Sequence, residues 1–147
     1  MYYFSGHTGF TSSPWTTYDY KTQMLAALSA AESWLLLNGF ARDTDLLTDP
    51  NGDGVNLLMA YALNLDPQEN LAGSLPKPVI DGTHLSLTFY AANTDVSYVV
   101  ESSFNLQGWS TADVTFPPDL DGNNCRTATV DRAGHAACFM RLVVERH

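Results

Sequence analysis

The chain has little positive charge, few cysteines and no long apolar run. Seven Lys and Arg residues stand against 16 Asp and Glu residues, so the net charge is −9 at pH 7. A surface of that sign repels phosphate backbones, and we therefore expect no nucleic-acid partner. A membrane-spanning helix needs about 20 consecutive apolar residues. The sequence has no such stretch, and we expect no membrane span.

Reactive-site motifs are also scarce. The nucleophile pattern G-x-S-x-G of many hydrolases does not occur, because the nearest run, from Gly108 to Ala112, departs from it at the last position. The histidines are scattered along the chain, and none adjoins an evident nucleophile. The sequence therefore names no catalytic residue. A small hydrolase with an unrecognised site ranks third among the functions that we consider.

The beginning of the chain is aromatic and polar. Residues 1–21 lack the basic start and apolar core of a secretory signal peptide, and their glycine, serine and proline content predicts an irregular segment. If the protein is exported, we expect this chain to be part of a longer one. The chain has 147 residues, of which 45% are hydrophobic, and this is enough to bury a sizeable core.

One short stretch has a spacing that is typical of a metal site. Asp49, Asn51 and Asp53 place oxygen-bearing side chains at alternate positions, and Gly54 follows where the chain must turn. This is the first half of the pattern D-x-[DN]-x-[DN]-G, which wraps oxygens around one hard divalent cation. The pattern predicts Ca²⁺ as a cofactor. The alternative is an Asx-rich turn that caps the next helix without an ion.

The second half of this pattern is incomplete. Counted from Asp49, position 7 is Val55, whose backbone carbonyl is the expected ligand. Position 12 is Ala60, where a bidentate Glu is usual. Nearby carboxylates are candidates to replace that ligand. They are Asp43, Asp45 and Asp66.

Hydrophobic periodicity divides the rest of the chain into a helical part and a β part. Helical spacing predicts one helix over 22–38 and a second, shorter helix over 55–63. With the loop between them they form a predicted helix-loop-helix unit, or helical hairpin, over 22–73. From residue 76 the period changes to two, which predicts an antiparallel β-sandwich over 76–147. The alternating segments are 84–90, 96–102, 109–116, 126–130 and 137–144. The predicted fold class is therefore α+β.

Two further features suggest sites. The stretch 131–134 between Cys125 and Cys138 is turn-like, and a hairpin there would set the two sulfurs side by side for a disulfide. The alternative is two small buried thiols. Trp109 and Tyr90 are candidates for a carbohydrate-binding surface if their rings are exposed in a flat row. The alternative is that these rings fill the core.

The motifs of both parts carry a resemblance to a known family. Residues 49–67 are similar to the family pattern DPDGDGLxNLLEYALGxDP. The family is the C-terminal calcium-loop and β-sandwich module of secreted or surface proteins of Verrucomicrobia-type bacteria. Other segments match it in the same order, namely 34–40, 85–89, 98–103, 106–109 and 139–142.

The resemblance implies a role for the loop and for the chain. The loop is also similar to the calcium loops of dockerins and thrombospondin type-3 repeats, which implies Asp49, Asn51 and Asp53 as ligands. The chain departs from these families at Ala60 and at Leu57, where related loops have Asn. The family has no established catalytic activity to transfer. Its place at the end of exported chains implies an accessory, anchoring or sorting role.

Taken together, these features predict a non-catalytic, calcium-stabilised accessory or interaction module. We expect its parent to be an extracellular or cell-surface bacterial protein, and its partner to be a protein or a glycan. A carbohydrate-binding module is the alternative function.

Overall fold

The computed structural model describes residues 28–118 and 122–147, so the predicted segment 1–21 lies outside the described residues. Within these ranges two short helices precede six strands, and all strand pairs are antiparallel, so the fold class is α+β. Neither helix is long and apolar enough to cross a membrane. The elements are α1 (Ala30–Leu37), α2 (Leu57–Ala62), β1 (Val79–Asp81), β2 (His84–Tyr90), β3 (Val96–Ser103), β4 (Val114–Thr115), β5 (Cys125–Asp131) and β6 (Phe139–Arg146).

Helix α1 begins at a capping box. The Ser29 hydroxyl accepts a hydrogen bond from Glu32 N at 3.1 Å, and Glu32 Oε2 accepts one from Ser29 N at 2.8 Å. Residues 22–27 of the predicted helix lie outside the described residues. Because the observed helix begins only after this cap, the prediction of one helix that continues through residues 28 and 29 is wrong. The spacing of Ser29 and Glu32 in the sequence is the signal that indicates where the helix begins. The helix ends at Leu37. Asn38 and Gly39 follow, a pair that commonly ends helices, and Gly39 has a φ of +81°.

Helix α2 is short and almost wholly buried. Asn56 caps it, because its side-chain oxygen accepts a hydrogen bond from Met59 N at 2.9 Å. A helix of six residues is not stable on its own, so α2 depends on its packing. The side chains that it buries are Leu57, Leu58, Ala60, Tyr61 and Ala62.

Two antiparallel sheets make up the β part. One has the strand order β1-β2-β5-β4, and the other pairs β3 with β6. In β2, Leu85, Leu87 and Phe89 are buried and alternate with more exposed residues, as a period of two requires. The predicted segments correspond to β2, β3, β5 and β6, whereas the predicted strand over 109–116 is reduced to the two residues of β4.

The hairpin predicted around residues 131–134 is wrong. Strand β5 pairs with β2 along one edge and with β4 along part of the other, so Thr129 and Val130, next to the turn, are paired on both sides. Strand β6 instead pairs with β3 in the second sheet. The chain after β5 therefore passes from one sheet to the other.

The buried side chains form three clusters, and the first two connect the helical part of the chain to the sheets. In the first, α1 and α2 pack with Val96 of β3, and Trp34 meets Tyr61 edge to face with ring centroids 5.5 Å apart. In the second, Leu63 packs with residues of β2, β3 and β5. The third cluster lies beside the loop and α2. Its buried members are Val55, Ala60 and Leu71.

A polar network fastens the end of α2 to the chain around β3. The Tyr61 hydroxyl donates to Asp95 Oδ1 at 2.8 Å, and the Tyr98 hydroxyl donates to the carbonyl of Ala62 at 2.8 Å. Burial, together with the Asp95 carboxylate, raises the pKa of Tyr61 far above its ordinary value. Burial also raises the pKa of Tyr98. Both phenols are therefore held neutral in the folded chain.

We expect alkaline pH to destabilise the chain through Tyr61. A folded-state pKa above the unfolded one means that the contribution of Tyr61 is complete below about pH 10 and is lost as the pH rises further. The melting temperature of the unchanged chain should fall above that pH, and Tyr61→Phe should flatten the fall. Tyr90→Phe, at the half-exposed end of β2, is the control and should leave it unchanged. Equal alkaline sensitivity of Tyr61→Phe and the unchanged chain would contradict this account.

Candidate metal centre

The loop of residues 49–55 is folded by hydrogen bonds from its own backbone to its own carboxylates. Asp49 Oδ1 accepts from Gly52 N at 3.0 Å and from Asp53 N at 3.3 Å, and Asp49 Oδ2 accepts from Gly54 N at 2.8 Å. Asp53 Oδ1 accepts from Val55 N at 2.8 Å. Gly54 has a φ of +86°, which explains the glycine at this position of the motif. These bonds are of the kind that Asx turns make without an ion.

Two side chains of the loop also reach the segment that follows α2. Asn51 Nδ2 lies 2.8 Å from the carbonyl oxygen of Glu69, 3.4 Å from that of Pro67 and 3.2 Å from Asp53 Oδ2. Asp53 Oδ2 also accepts the N–H of Leu71 at 2.6 Å. The Leu71 N–H is the main cause that holds the pKa of Asp53 below its ordinary value. The loop is thus attached to a segment that lies 16 to 18 residues further along the chain.

Sequence reasoning missed these downstream partners. The groups involved are main-chain carbonyls and one main-chain N–H, which carry no side-chain signature. The available signal was the Asp66-Pro67 pair, which follows α2 and disfavours a continuation of the helix.

The remaining predicted ligands make local contacts. Asp45 Oδ1 accepts from Leu47 N at 2.9 Å, and Asp66 Oδ1 accepts from Gln68 N at 2.9 Å. Val55 is buried, with 7% of its surface exposed. Within the described residues no three His, Cys, Asp or Glu side chains converge where an ion could sit. Any coordination sphere here would therefore need amide and main-chain oxygens.

The burial of Ala60 explains why the loop lacks its twelfth-position carboxylate. Ala60 is 1% exposed and packs with Val55 and Leu71. Because α2 begins only a few residues after the loop, position 12 lies on the buried side of this helix. A glutamate there would bury a charge, at a cost on the order of several kcal/mol.

The two candidate carbohydrate-binding rings lie in different parts of the fold, since Tyr90 ends β2 and Trp109 lies in the chain between β3 and β4. Trp109 is half-buried, and the Arg141 guanidinium of β6 lies over its ring at 4.4 Å from the centroid. Arg141 Nε also donates to Glu101 Oε2 at 2.7 Å. Tyr90 is half-buried and lies opposite Cys125 in the four-stranded sheet. Both rings are half-buried, and carbohydrate binding stays a prediction.

The two cysteines are free thiols in the structure. Cys125 begins β5 in the four-stranded sheet, whereas Cys138 directly precedes β6 in the other. The predicted disulfide therefore lacks the hairpin that motivated it. Burial raises the pKa of the Cys138 thiol, which disfavours the reactive thiolate.

Comparison of the chain with protein-family models, with curated proteins and with solved structures finds no match. The resemblance carried by its motifs therefore stays a prediction.

We expect the purified, non-reduced chain to contain two free thiols. Labelling under denaturing conditions should modify both Cys125 and Cys138, and reduction should leave the intact mass unchanged. An intact mass that is lower by about two hydrogens before reduction would show that the disulfide forms.

We expect Asp53→Asn to lower the melting temperature in metal-free buffer at neutral pH, because it weakens the charge-assisted bond to Leu71 N. Asp66→Asn is the matched control, since among the described residues its carboxylate accepts a bond from nearby Gln68 N alone. The lowered pKa of Asp53 means that its contribution is present above the unfolded-state pKa of about 4 and is lost as the pH falls below it. The difference between the variants should therefore shrink as the pH falls through the lowered pKa of Asp53. Equal melting temperatures at neutral pH would contradict the role of Asp53.

Proposed function

We propose that the chain is a non-catalytic, calcium-stabilised accessory or interaction module of an extracellular bacterial protein. One observation carries the proposal. The oxygen-bearing side chains at alternate positions fold the loop and also attach it to the segment after α2. An ion bound at this junction would hold two distant parts of the chain together. That role is structural and needs no reacting group.

The residues of the loop fit a hard divalent cation. The proposed ligands are the side-chain oxygens of Asp49, Asn51 and Asp53 and the carbonyl of Val55, and calcium takes six to eight such oxygens. The carboxylate oxygens already accept N–H bonds, but each has a further lone pair for an ion. Calcium would supply positive charge that offsets the repulsion among the carboxylates of residues 43–53.

The packing around α2 supports a structural role, in which the chain holds its loop and sheets in fixed positions for contact with a partner. We propose that the helices form a hairpin on an antiparallel sandwich, with the loop at the entry to the buried helix. The resemblance of the motifs to secreted bacterial modules supports an extracellular place. The net charge of −9 favours cations over nucleic acid. The partner is then a protein or a glycan.

We expect EDTA to lower the melting temperature and calcium to restore it. An ion that binds only the folded chain stabilises it by RT ln(1 + [L]/Kd), which is about 2.7 kcal/mol at a hundredfold excess over Kd. Calorimetric titration of the purified chain should give a Kd, and magnesium at the same concentration should shift the melting temperature less.

Matched variants distinguish calcium binding at the loop from a general effect of calcium on the acidic chain. The double variant Asp49→Asn with Asp53→Asn should lose the calcium response. Asp81→Asn, which removes an exposed carboxylate on β1, should keep it. If millimolar calcium does not raise the melting temperature of the unchanged chain, the proposal is wrong.

A further inference from the structure

Strand β6 has one long edge that is unpaired among the described residues. It is eight residues long and pairs with β3 along one side. On its other side, no main-chain hydrogen bond within the described ranges joins it to another segment. Such an edge offers a row of N–H and C=O groups to any strand that can lie beside it, and natural proteins usually blunt it.

The edges of the four-stranded sheet are blunted in this way. Its outer strands are β1, with three residues directly after Pro78, and β4, with two residues. Short edge strands and a nearby proline both hinder the addition of a further strand. Strand β6 contains no proline, and its register with β3 is continuous over all eight residues, so no bulge turns its edge away. Its edge is therefore suited to pairing.

The side chains of β6 alternate between a face toward the core and a face away from it. Met140, Leu142 and Val144 pack against the first two clusters. Arg141 and Glu145 are exposed on the opposite face. A strand that is added to this edge would continue both faces if it had the same alternation. A second copy of β6 has that alternation by definition.

The two charges on the outer face lie symmetrically about Val143. A two-fold axis would pair β6 antiparallel with its own copy. With the axis at Val143, Arg141 of each copy faces Glu145 of the other, and opposite charges directly across a strand pair are favourable. With the axis at residue 141 or 145, like charges would face each other, which is unfavourable. With the axis at residue 142 or 144, Glu145 would face an apolar residue.

Both charges are available for such a pair. Within the described part of the chain, Glu145 forms no salt bridge. Arg141 Nε donates to Glu101 at 2.7 Å, but the Arg141 side chain is 49% exposed and its guanidinium has further N–H groups. The strand β3 has no such pattern, because Glu101 is its single charged residue. Charge complementarity therefore favours β6 of a second copy as the occupant of this edge.

We propose that β6 pairs antiparallel with β6 of a second copy about a two-fold axis at Val143. The two-stranded sheets of both copies then join into one sheet with the order β3-β6-β6-β3. Main-chain hydrogen bonds hold the strands together, as in other cases of strand addition, and the pairs between Arg141 and Glu145 fix the register. The inference does not involve the loop of residues 49–55, so it is independent of calcium binding.

Sedimentation equilibrium of the full chain in EDTA tests the dimer. The unchanged chain should have the mass of two chains. Glu145→Arg should weaken the dimer by about tenfold or more, because it replaces two attractive pairs with two repulsive ones. Asp81→Arg is the matched control. It makes the same change of charge on the exposed strand β1 and should alter the dissociation constant by less than about twofold.

Arg141→Glu is the complementary variant. Alone, it sets two acidic side chains against each other twice per dimer and should also weaken the dimer. In an equimolar mixture with Glu145→Arg, one chain is basic at both positions and the other is acidic at both, so both pairs between the chains are attractive. The mixture should form dimers at a concentration at which each variant alone is monomeric. The melting temperature of each variant shows whether it is folded.

Cross-linking tests the register. The chain for this experiment carries Cys125→Ser and Cys138→Ser, so that it has no cysteine of its own. Val143→Cys then sets one sulfur directly opposite its equivalent, and mild oxidation should give a covalent dimer. Ser97→Cys on β3 is the control, because the two β3 strands lie three strand spacings apart, about 14 Å, which is too far for a disulfide.

The outcomes decide the inference separately from the proposed function. If the unchanged chain is monomeric at the highest soluble concentration, or if Glu145→Arg and Asp81→Arg weaken the dimer equally, the inference is wrong. It is also wrong if Val143→Cys cross-links no better than Ser97→Cys. If Arg141→Glu does not fold, Glu145→Arg and the cross-link at residue 143 decide. A dimer with these properties supports the inference even if the chain binds no calcium.

Discussion

The burial of helix α2 is the constraint on which the rest of the structure depends. A six-residue helix has too few internal hydrogen bonds to persist alone, and this one persists because nearly all of its side chains are removed from water. Its residues contact all three buried clusters, so it joins α1, the loop and both sheets. The polar network from Tyr61 and Tyr98 then fixes its C-terminal end against β3.

The same burial shapes the candidate metal centre. Since the helix starts immediately after the loop, the position that normally carries a bidentate glutamate is in the core, and Ala60 occupies it. The loop compensates through contacts to the segment beyond the helix, where Asn51 and Asp53 meet main-chain groups. The loop and the downstream segment therefore enclose the start of α2.

Local patterns predicted the elements in which each face keeps the same environment, buried or exposed, along the whole element. Strand β2 alternates between buried and exposed residues because one face covers the core, and that period is visible in the sequence. The Asn-Gly end of α1 was equally visible, because only the conformation of Gly39 is needed there. The start of α1 was misplaced, although Ser29 and Glu32 carry the capping signal in their spacing.

The pairing of the strands had no such local signal. The turn-like residues between β5 and β6 suggest a hairpin, yet β6 pairs with β3, and β5 pairs with β2 along its length and with β4 at Thr129 and Val130. Which strands become neighbours is decided by the burial of whole faces and by the edges that remain free, not by the turn between them. Cys125 and Cys138 are separated because β5 and β6 belong to different sheets.

The sequence alone determined the α+β class, the period of each element and the alternation of oxygen-bearing side chains from Asp49 to Asp53, because these depend on neighbours along the chain. Only the tertiary structure decided that Ala60 faces the core and that the carbonyls of Pro67 and Glu69 meet Asn51. Main-chain oxygens are the same at every residue. Their position relative to a side chain more than a dozen residues away is therefore set by how the intervening helix packs.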